Sequence, residues 1–130
     1  MVPKDMFEIE KHNFDKIYLY IDAENNLCYS YEFSAYLLTR LLNTLKLEEN
    51  IEKELKTVSF FTQLSIQLAV DRFFGSNTTV GDDCITVVLD DPNCCMQWKL
   101  EFDDLKEKQR KVCNCNRIIK SILGFFHFVK

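Results

Sequence analysis

The sequence predicts an α+β fold in which a small antiparallel sheet packs against helices. Some stretches alternate apolar and polar residues with the period of a β-strand, and others repeat apolar residues at the spacing of an α-helix. The chain has 130 residues with three glycines and two prolines, and a length of about 100–200 residues is usual for one domain. We therefore expect a single domain over residues 1–130, with the order ββ-αα-ββ-α after a lead-in over residues 1–16.

A β-hairpin is predicted at the start of the domain. Apolar residues alternate with tyrosines over residues 17–22, and apolar or aromatic residues alternate with other types over residues 27–33. The intervening residues 23–26 include two asparagines, which adopt turn conformations at low cost. Two alternating runs that flank such a turn are typical of paired antiparallel strands.

Two helices are predicted next. Ser34 is a suitable N-cap for a helix over residues 35–47, whose leucines repeat at helical spacing: Leu37, Leu38, Leu41, Leu42 and Leu45. The second helix is predicted over residues 51–74, and from Val58 onward it is apolar on nearly every side. A helix of that kind is normally buried at the centre of a domain. Gly75 is expected to end it, because glycine readily adopts the left-handed conformation that closes many helices.

A second hairpin and a long helix complete the predicted fold. The strand at residues 84–89 follows a polar turn and pairs with a strand at residues 96–103, where Met, Trp, Leu and Phe alternate with Gln, Lys, Glu and Asp. Such alternation predicts one buried and one solvated face. Asp104 and Glu107 have the spacing of a capping box, so the last helix is expected to begin there.

The run ITVVLDD, then MQWKLEFDD, then a long helix, all after a buried helix, resembles the central part of HORMA domains. Those adaptor domains trap a peptide of a partner under a C-terminal safety belt, so the resemblance implies an adaptor role. The chain departs from that family in opening with a hairpin and in stopping where the safety belt would begin. We therefore assign no family on this pattern.

The six cysteines are predicted to be free thiols, because reducing compartments keep thiols apart. Cys94 and Cys95 are adjacent, and Cys113 and Cys115 are separated by one residue. Neither pair has the C-x₂-C spacing that wraps a structural zinc ion. A redox role for the adjacent pair is the alternative interpretation.

The sequence contains none of the motifs of an α/β-hydrolase nucleophile, a zinc protease, a P-loop or a dinucleotide-binding loop. If the second hairpin forms, four carboxylates meet at one corner and could bind a divalent cation: Asp82, Asp83, Asp103 and Asp104. We favour the simpler interpretation, in which Asp104 caps a helix and the others are solvated. No catalytic residue, metal site or cofactor is predicted, and a small thiol- or divalent-metal-dependent enzyme is the alternative.

The N-terminal residues are of mixed charge and lack the apolar core of a secretory signal. No run reaches the roughly 18–20 apolar residues that cross a bilayer. The sequence therefore predicts an intracellular protein, of the cytoplasm or nucleus, without a membrane span.

Charge is distributed unevenly along the chain. Residues 105–130 have a balance of +6, which leaves −10 for the rest of a chain whose net charge is −4. Within the last helix four basic residues fall in one narrow sector, here called the basic stripe: Lys106, Arg110, Arg117 and Lys120. The simplest interpretation is a solvated outer face, and the alternative is a contact with an acidic partner. Nucleic acid is disfavoured as that partner by the acidity of residues 1–104, although the basic stripe keeps it as a further alternative.

Phe125, Phe126 and Phe128 lie close to the C-terminal residue and are here called the phenylalanine end. They are expected either to be buried in the fold or to contact another chain. Together these patterns predict a non-catalytic protein–protein interaction module, an adaptor or a subunit of a larger complex. We expect homo- or hetero-oligomerisation through the last helix, with the phenylalanine end as anchor and the basic stripe as orienting rim.

Overall fold

Helices and strand pairs alternate along the chain as follows: α1 (Met6–Lys11), β1 (Lys16–Asp22), β2 (Leu27–Tyr31), α2 (Glu32–Leu41), β3 (Glu48–Glu52), β4 (Thr57–Ser65), α3 (Ile66–Phe73), β5 (Thr78–Val80), β6 (Cys84–Val88) and α4 (Pro92–Val129). The structure is a computed structural model. It describes residues 2–52, 57–75 and 77–129, with side chains as far as residue 111 except those of residues 51, 52 and 57.

The predicted α+β class is confirmed: one domain is built from a six-stranded antiparallel sheet that packs against helices, four of them among the described residues. The strand order is β3-β4-β2-β1-β6-β5, with β3 and β5 at the edges. The order along the chain is α-ββ-α-ββ-α-ββ-α, so the predicted order ββ-αα-ββ-α is wrong in its details. Among the described helices, none is long and apolar enough to cross a membrane.

The first hairpin is confirmed. Strands β1 and β2 pair with Tyr20 opposite Tyr29, and residues 23–26 form the turn. Strand β1 also pairs with β6, with Leu19 opposite Ile85. This places β1 and β2 at the centre of the sheet.

The hydrophobic core lies between one face of the sheet and the helices. Residues of strands β1, β2, β4 and β6 point into it, and α2, α3 and α4 contribute Leu37, Ala69 and Phe102. The ring of Phe102 lies 5.9 Å from that of Phe33 and 5.8 Å from that of Phe60, measured between centroids. Each aromatic pair of this kind contributes about 0.5–1.5 kcal/mol beyond the area it buries. One side chain of α4 thus ties that helix to both α2 and β4.

The helix predicted over residues 51–74 is wrong. Its first part contains the end of β3 and all of β4, and among the described residues of this range only 66–73 are helical. In β4 the residues Phe60, Thr62 and Leu64 are buried, whereas Gln63 and Ser65 are exposed. The segment therefore follows the period of a strand, and a short apolar run cannot be assigned to helix or strand by its hydrophobicity alone. Gly75 does follow the helix end as predicted, with a φ of +92°.

The strand predicted over residues 96–103 is also wrong, because the whole segment belongs to α4. Strand alternation would bury Met96 and Leu100, yet these two side chains are 56% and 66% exposed. The buried positions are instead Cys95 and Phe102, with Trp98 partly buried between them. Spacings of three and four residues are those of one helix face. Strand β6 is confirmed, but its hairpin partner is β5.

Helix α4 begins at an Asp-Pro pair rather than at the predicted capping box. The carboxylate of Asp91 accepts a hydrogen bond from the backbone N–H of Cys94 at 3.1 Å, and Pro92 occupies the first helical position. This is the residue order that starts many helices. Asp104 and Glu107 lie inside α4, where they pair with Lys108 and Arg110.

Residues 1–16 are more ordered than a lead-in, since they contain α1, in which Met6 and Glu10 are buried. Helix α2 begins three residues before the predicted boundary of residue 35, and the residue before it, Tyr31, offers no side-chain cap. Of the predicted leucine stripe, Leu37, Leu38 and Leu42 are buried.

Candidate functional site

The seven residues predicted for an interface all belong to α4, and the structure describes the side chains of two. Lys106 is half-buried and lies 2.6 Å from a carboxylate oxygen of Glu32. Arg110 pairs with Glu107 at 2.9 Å on an exposed part of the helix. The side chains of the other five lie outside the described residues: Arg117, Lys120, Phe125, Phe126 and Phe128.

The cysteines whose side chains are described belong to no group that could hold a metal ion. Cys28, Cys84, Cys94 and Cys95 are free thiols. Burial raises the pKa of the Cys28, Cys84 and Cys95 thiols, which lowers the fraction of reactive thiolate. Cys94 lies in the first turn of α4 and lines a shallow groove with Leu41 and Trp98. The side chains of residues 113 and 115 lie outside the described residues.

The hairpin that would bring Asp82 and Asp83 to Asp103 and Asp104 does not form, because residues 103 and 104 are helical. Across the residues whose side chains are described, no three of His, Cys, Asp and Glu are placed to hold a metal ion. The geometric basis of the predicted acidic corner is therefore lost.

A buried carboxylate from α1 caps the N-terminus of α2. Glu10 is 2% exposed. Its Oε1 accepts the backbone N–H of Ser34 at 2.7 Å, and its Oε2 accepts the Ser34 hydroxyl at 2.6 Å. Asn13 donates to the same carboxylate at 3.2 Å. Helix N-termini need acceptors for their free N–H groups, and Glu10 supplies one that Tyr31 does not.

Burial raises the pKa of Glu10 to about 6, against the opposing effect of its hydrogen bonds from Ser34 and Asn13. The Ser34 hydroxyl beside it resembles the start of a nucleophile–base pair. However, that hydroxyl is fully buried and also accepts the backbone N–H of Tyr18 at 3.0 Å. A hydroxyl without access to a substrate serves the fold rather than chemistry.

A second buried carboxylate, Glu32, lies where β2 passes directly into α2. Its φ is +53°, a left-handed conformation that is strained for a residue with a side chain. Its Oε1 is the acceptor of the 2.6 Å bond from Lys106, while its Oε2 has no hydrogen-bond partner within the described residues. Burial raises the pKa of Glu32, and the hydrogen bond from Lys106 lowers it in part. The ion pair thus fixes α4 to the start of α2.

Lys99 makes a parallel contact about two turns earlier in α4. Its ammonium lies 4.6 Å from the centroid of the Phe33 ring. It also donates to the backbone carbonyls of Glu10 and Lys11, at 3.4 and 3.5 Å, at the C-terminal end of α1. A cation at that end of a helix is favourable. Lys99 and Lys106 together border a cleft of about 530 Å³ between α1 and α4.

The second face of the sheet has aromatic side chains. We call the following set of residues on β2, β4 and the edge strand β3 the tyrosine face: Leu27, Tyr29, Tyr31, Phe61, Gln63 and Glu48. Tyr31 lies opposite Phe61, and Tyr29 lies opposite Gln63. The other face of the same strands enters the core that α2, α3 and α4 cover.

The tyrosine face is partly accessible. Leu27, Tyr29, Tyr31 and Phe61 are half-buried, and Gln63 is exposed. Tyr20 of β1 extends the aromatic surface, with its ring 5.9 Å from that of Tyr31, but only 4% of Tyr20 is exposed. The accessible part therefore lies on the β3–β4–β2 half of the sheet. Accessible aromatic residues on a sheet are typical of binding surfaces.

The comparisons with known proteins identify no relative. No protein-family model, no curated protein and no solved structure matches the chain. The resemblance to HORMA domains rested in part on a strand at residues 96–103, which is helical, so the structure removes that support.

Sequence reasoning missed the two buried carboxylates and the tyrosine face. Glu10 stands in a segment without clear periodicity, and no local pattern indicates that it will cap a helix 22 residues later. One part of the tyrosine face can be predicted, since the tyrosines of the first hairpin alternate in the sequence. Phe61, which lies on the neighbouring strand, belongs to a segment that the sequence predicts to be helical.

Replacing Lys106 with Met is expected to destabilise the fold by about 3 kcal/mol, because it leaves the Glu32 carboxylate buried and unpaired. Denaturant unfolding at neutral pH measures the change. Lys108→Met is the matched control, since its pair with Asp104 is mostly exposed and such pairs contribute less than about 0.5 kcal/mol. Equal effects of the two substitutions would contradict the role given to Glu32.

Replacing Glu10 with Gln is expected to change how stability depends on pH. A folded-state pKa of about 6, above the ordinary 4.5, means that the wild-type carboxyl favours folding most when it is protonated. That contribution is complete below pH 4.5 and is lost as the pH rises to about 6. The variant cannot ionise, so its stability relative to wild type should improve by about 2 kcal/mol across this window.

Thermal or urea unfolding at several pH values measures the difference between Glu10→Gln and wild type. Glu8→Gln is the control, because Glu8 belongs to the same helix and is exposed. If the free energies of unfolding of Glu10→Gln and wild type differ by the same amount at every pH between 4.5 and 6, the Glu10 carboxyl does not titrate as described.

Proposed function

We propose that this protein is a non-catalytic interaction module that assembles through α4, with the phenylalanine end as anchor. The observation that supports this most is the length of α4. Its 38 residues extend about 57 Å, whereas a compact domain of about 100 residues has a radius of gyration of about 13 Å. A helix of that length extends beyond a domain of that size.

The described contacts of α4 with the rest of the domain run from Cys95 to Lys106. They include Phe102 in the core, the Lys106–Glu32 ion pair, and a hydrogen bond from the Tyr36 hydroxyl to Glu101 at 2.9 Å. These contacts anchor the first half of the helix. In the proposal the second half is the part that meets another chain.

The composition of that second half supports such a role. No acidic residue follows Glu107, and the last residues include the phenylalanine end. Buried aromatic anchors with a charged rim are the usual energetic centre of an interface. Because Lys106 pairs with Glu32, the rim in this proposal is formed by Arg110, Arg117 and Lys120.

Light scattering coupled to size-exclusion chromatography tests the proposal. The wild-type protein should elute with a mass that is a multiple of the 15.4 kDa chain. The double substitution Phe125→Asp with Phe128→Asp should give monomer, because two buried carboxylates would face an apolar surface. Circular dichroism confirms that the variant keeps its fold.

The matched control is Phe7→Asp with Phe74→Asp, since both phenylalanines are exposed, at 54% and 73%, on other elements. This control should assemble like the wild type. A monomeric wild type, or an assembly that survives Phe125→Asp with Phe128→Asp, would overturn the proposal.

A further inference from the structure

We infer that the surface that receives α4 is the tyrosine face of a second copy of the same chain. The inference rests on the proposed function and adds to it the identity of the partner and the place where it binds. The contact joins two different surfaces, the helix of one copy and the sheet of another.

Charge complementarity favours this occupant. Strands β2, β3 and β4 contain three glutamates and no basic residue, and Glu48 lies on the tyrosine face beside Phe61. Residues 108–130 contain six lysines and arginines and no acidic residue. Two copies of that segment would repel each other if they paired side by side, whereas Glu48 on the tyrosine face attracts it. Lysine and arginine also bind favourably over tyrosine rings.

The dimensions of the two surfaces agree. Strand β4 has nine residues and is about 30 Å long. Residues 111–129 of α4 make a helix of about 28 Å. Strand β3 flanks residues 57–61 of β4 and β2 flanks residues 61–65, so the three strands lie side by side only at Phe61. A helix laid along β4 would therefore cover β4 together with β3 over one half of its length and β2 over the other.

The same chain's own tyrosine face is a poor alternative occupant for α4. Phe102 fixes α4 on the core face of the sheet, and α4 is helical without interruption from Pro92 to Val129. To reach its own tyrosine face the helix would have to turn around the edge of the sheet. A second copy requires no such turn.

A mixing experiment tests the inference. The face variant combines Glu48→Lys with Gln63→Lys, two exposed positions on the tyrosine face, and places new positive charge where the basic helix would bind. The helix variant is Phe125→Asp with Phe128→Asp. Each variant alone should be monomeric by light scattering, because each lacks one of the two complementary surfaces.

An equal mixture of the two variants should form a 1:1 heterodimer of two chains and nothing larger. One variant supplies an intact helix and the other an intact face, so a single contact remains. The charge-matched control Glu8→Lys with Gln97→Lys changes exposed positions on α1 and α4 and should assemble like the wild type.

The outcomes separate the inference from the proposed function. A face variant that assembles like wild type while the helix variant is monomeric would overturn the tyrosine face as receptor and leave assembly through α4 intact. A mixture that stays monomeric would overturn it equally. A monomeric wild type would instead remove the proposed function on which the inference rests.

Discussion

The passage from β2 directly into α2 is the constraint on which much of the structure depends. With no loop between the two elements, Glu32 adopts a strained conformation with φ of +53°, and Tyr31 leaves the start of the helix without a side-chain cap. Such strain costs on the order of 1–3 kcal/mol and persists only where the surroundings hold it. Here two distant elements hold it: Glu10 of α1 accepts the Ser34 N–H, and Lys106 of α4 pairs with Glu32.

This arrangement explains why α1 and α4 are placed as they are. Lys99 donates to the last carbonyls of α1, and Lys106 reaches the first residue of α2. Both lysines are on α4, so the helix is fixed by charged contacts as well as by Phe102 in the core. A buried ion pair contributes little net stability, but the loss of one partner is strongly destabilising because it leaves the other charge buried and unpaired.

Local patterns in the sequence predicted the secondary structure correctly where they fit only one type of element. The first hairpin, strand β6, the buried leucines of α2 and Gly75 after α3 were all predicted from periodicity or turn chemistry. Residues 58–65 and 96–103 failed because their apolar residues fit more than one period. Pairing with β2 decided the first segment, and packing of Phe102 decided the second.

Just before the second segment, the Asp91–Pro92 pair was a local signal that favoured a helix start. For the candidate site, the basic stripe was visible in the sequence, but the partner of its first member, Lys106, was not. Glu32 lies 74 residues before Lys106 in the chain, and no periodicity links positions so far apart. The tyrosine face likewise depends on a register between β2 and β4 that only the folded chain defines.

In the proposed assembly, the acidic domain of one chain binds the basic end of α4 of another chain. Zero-length cross-linking of carboxylates to amines, applied to an equal mixture of ¹⁵N-labelled and unlabelled protein, tests this most directly. We expect cross-links from Glu48 to Lys111 or Lys120 that join one labelled and one unlabelled chain. Two results would contradict the proposed contact between helix and sheet. One is that the cross-links at these positions never join a labelled to an unlabelled chain, and the other is that they are absent from an assembled sample.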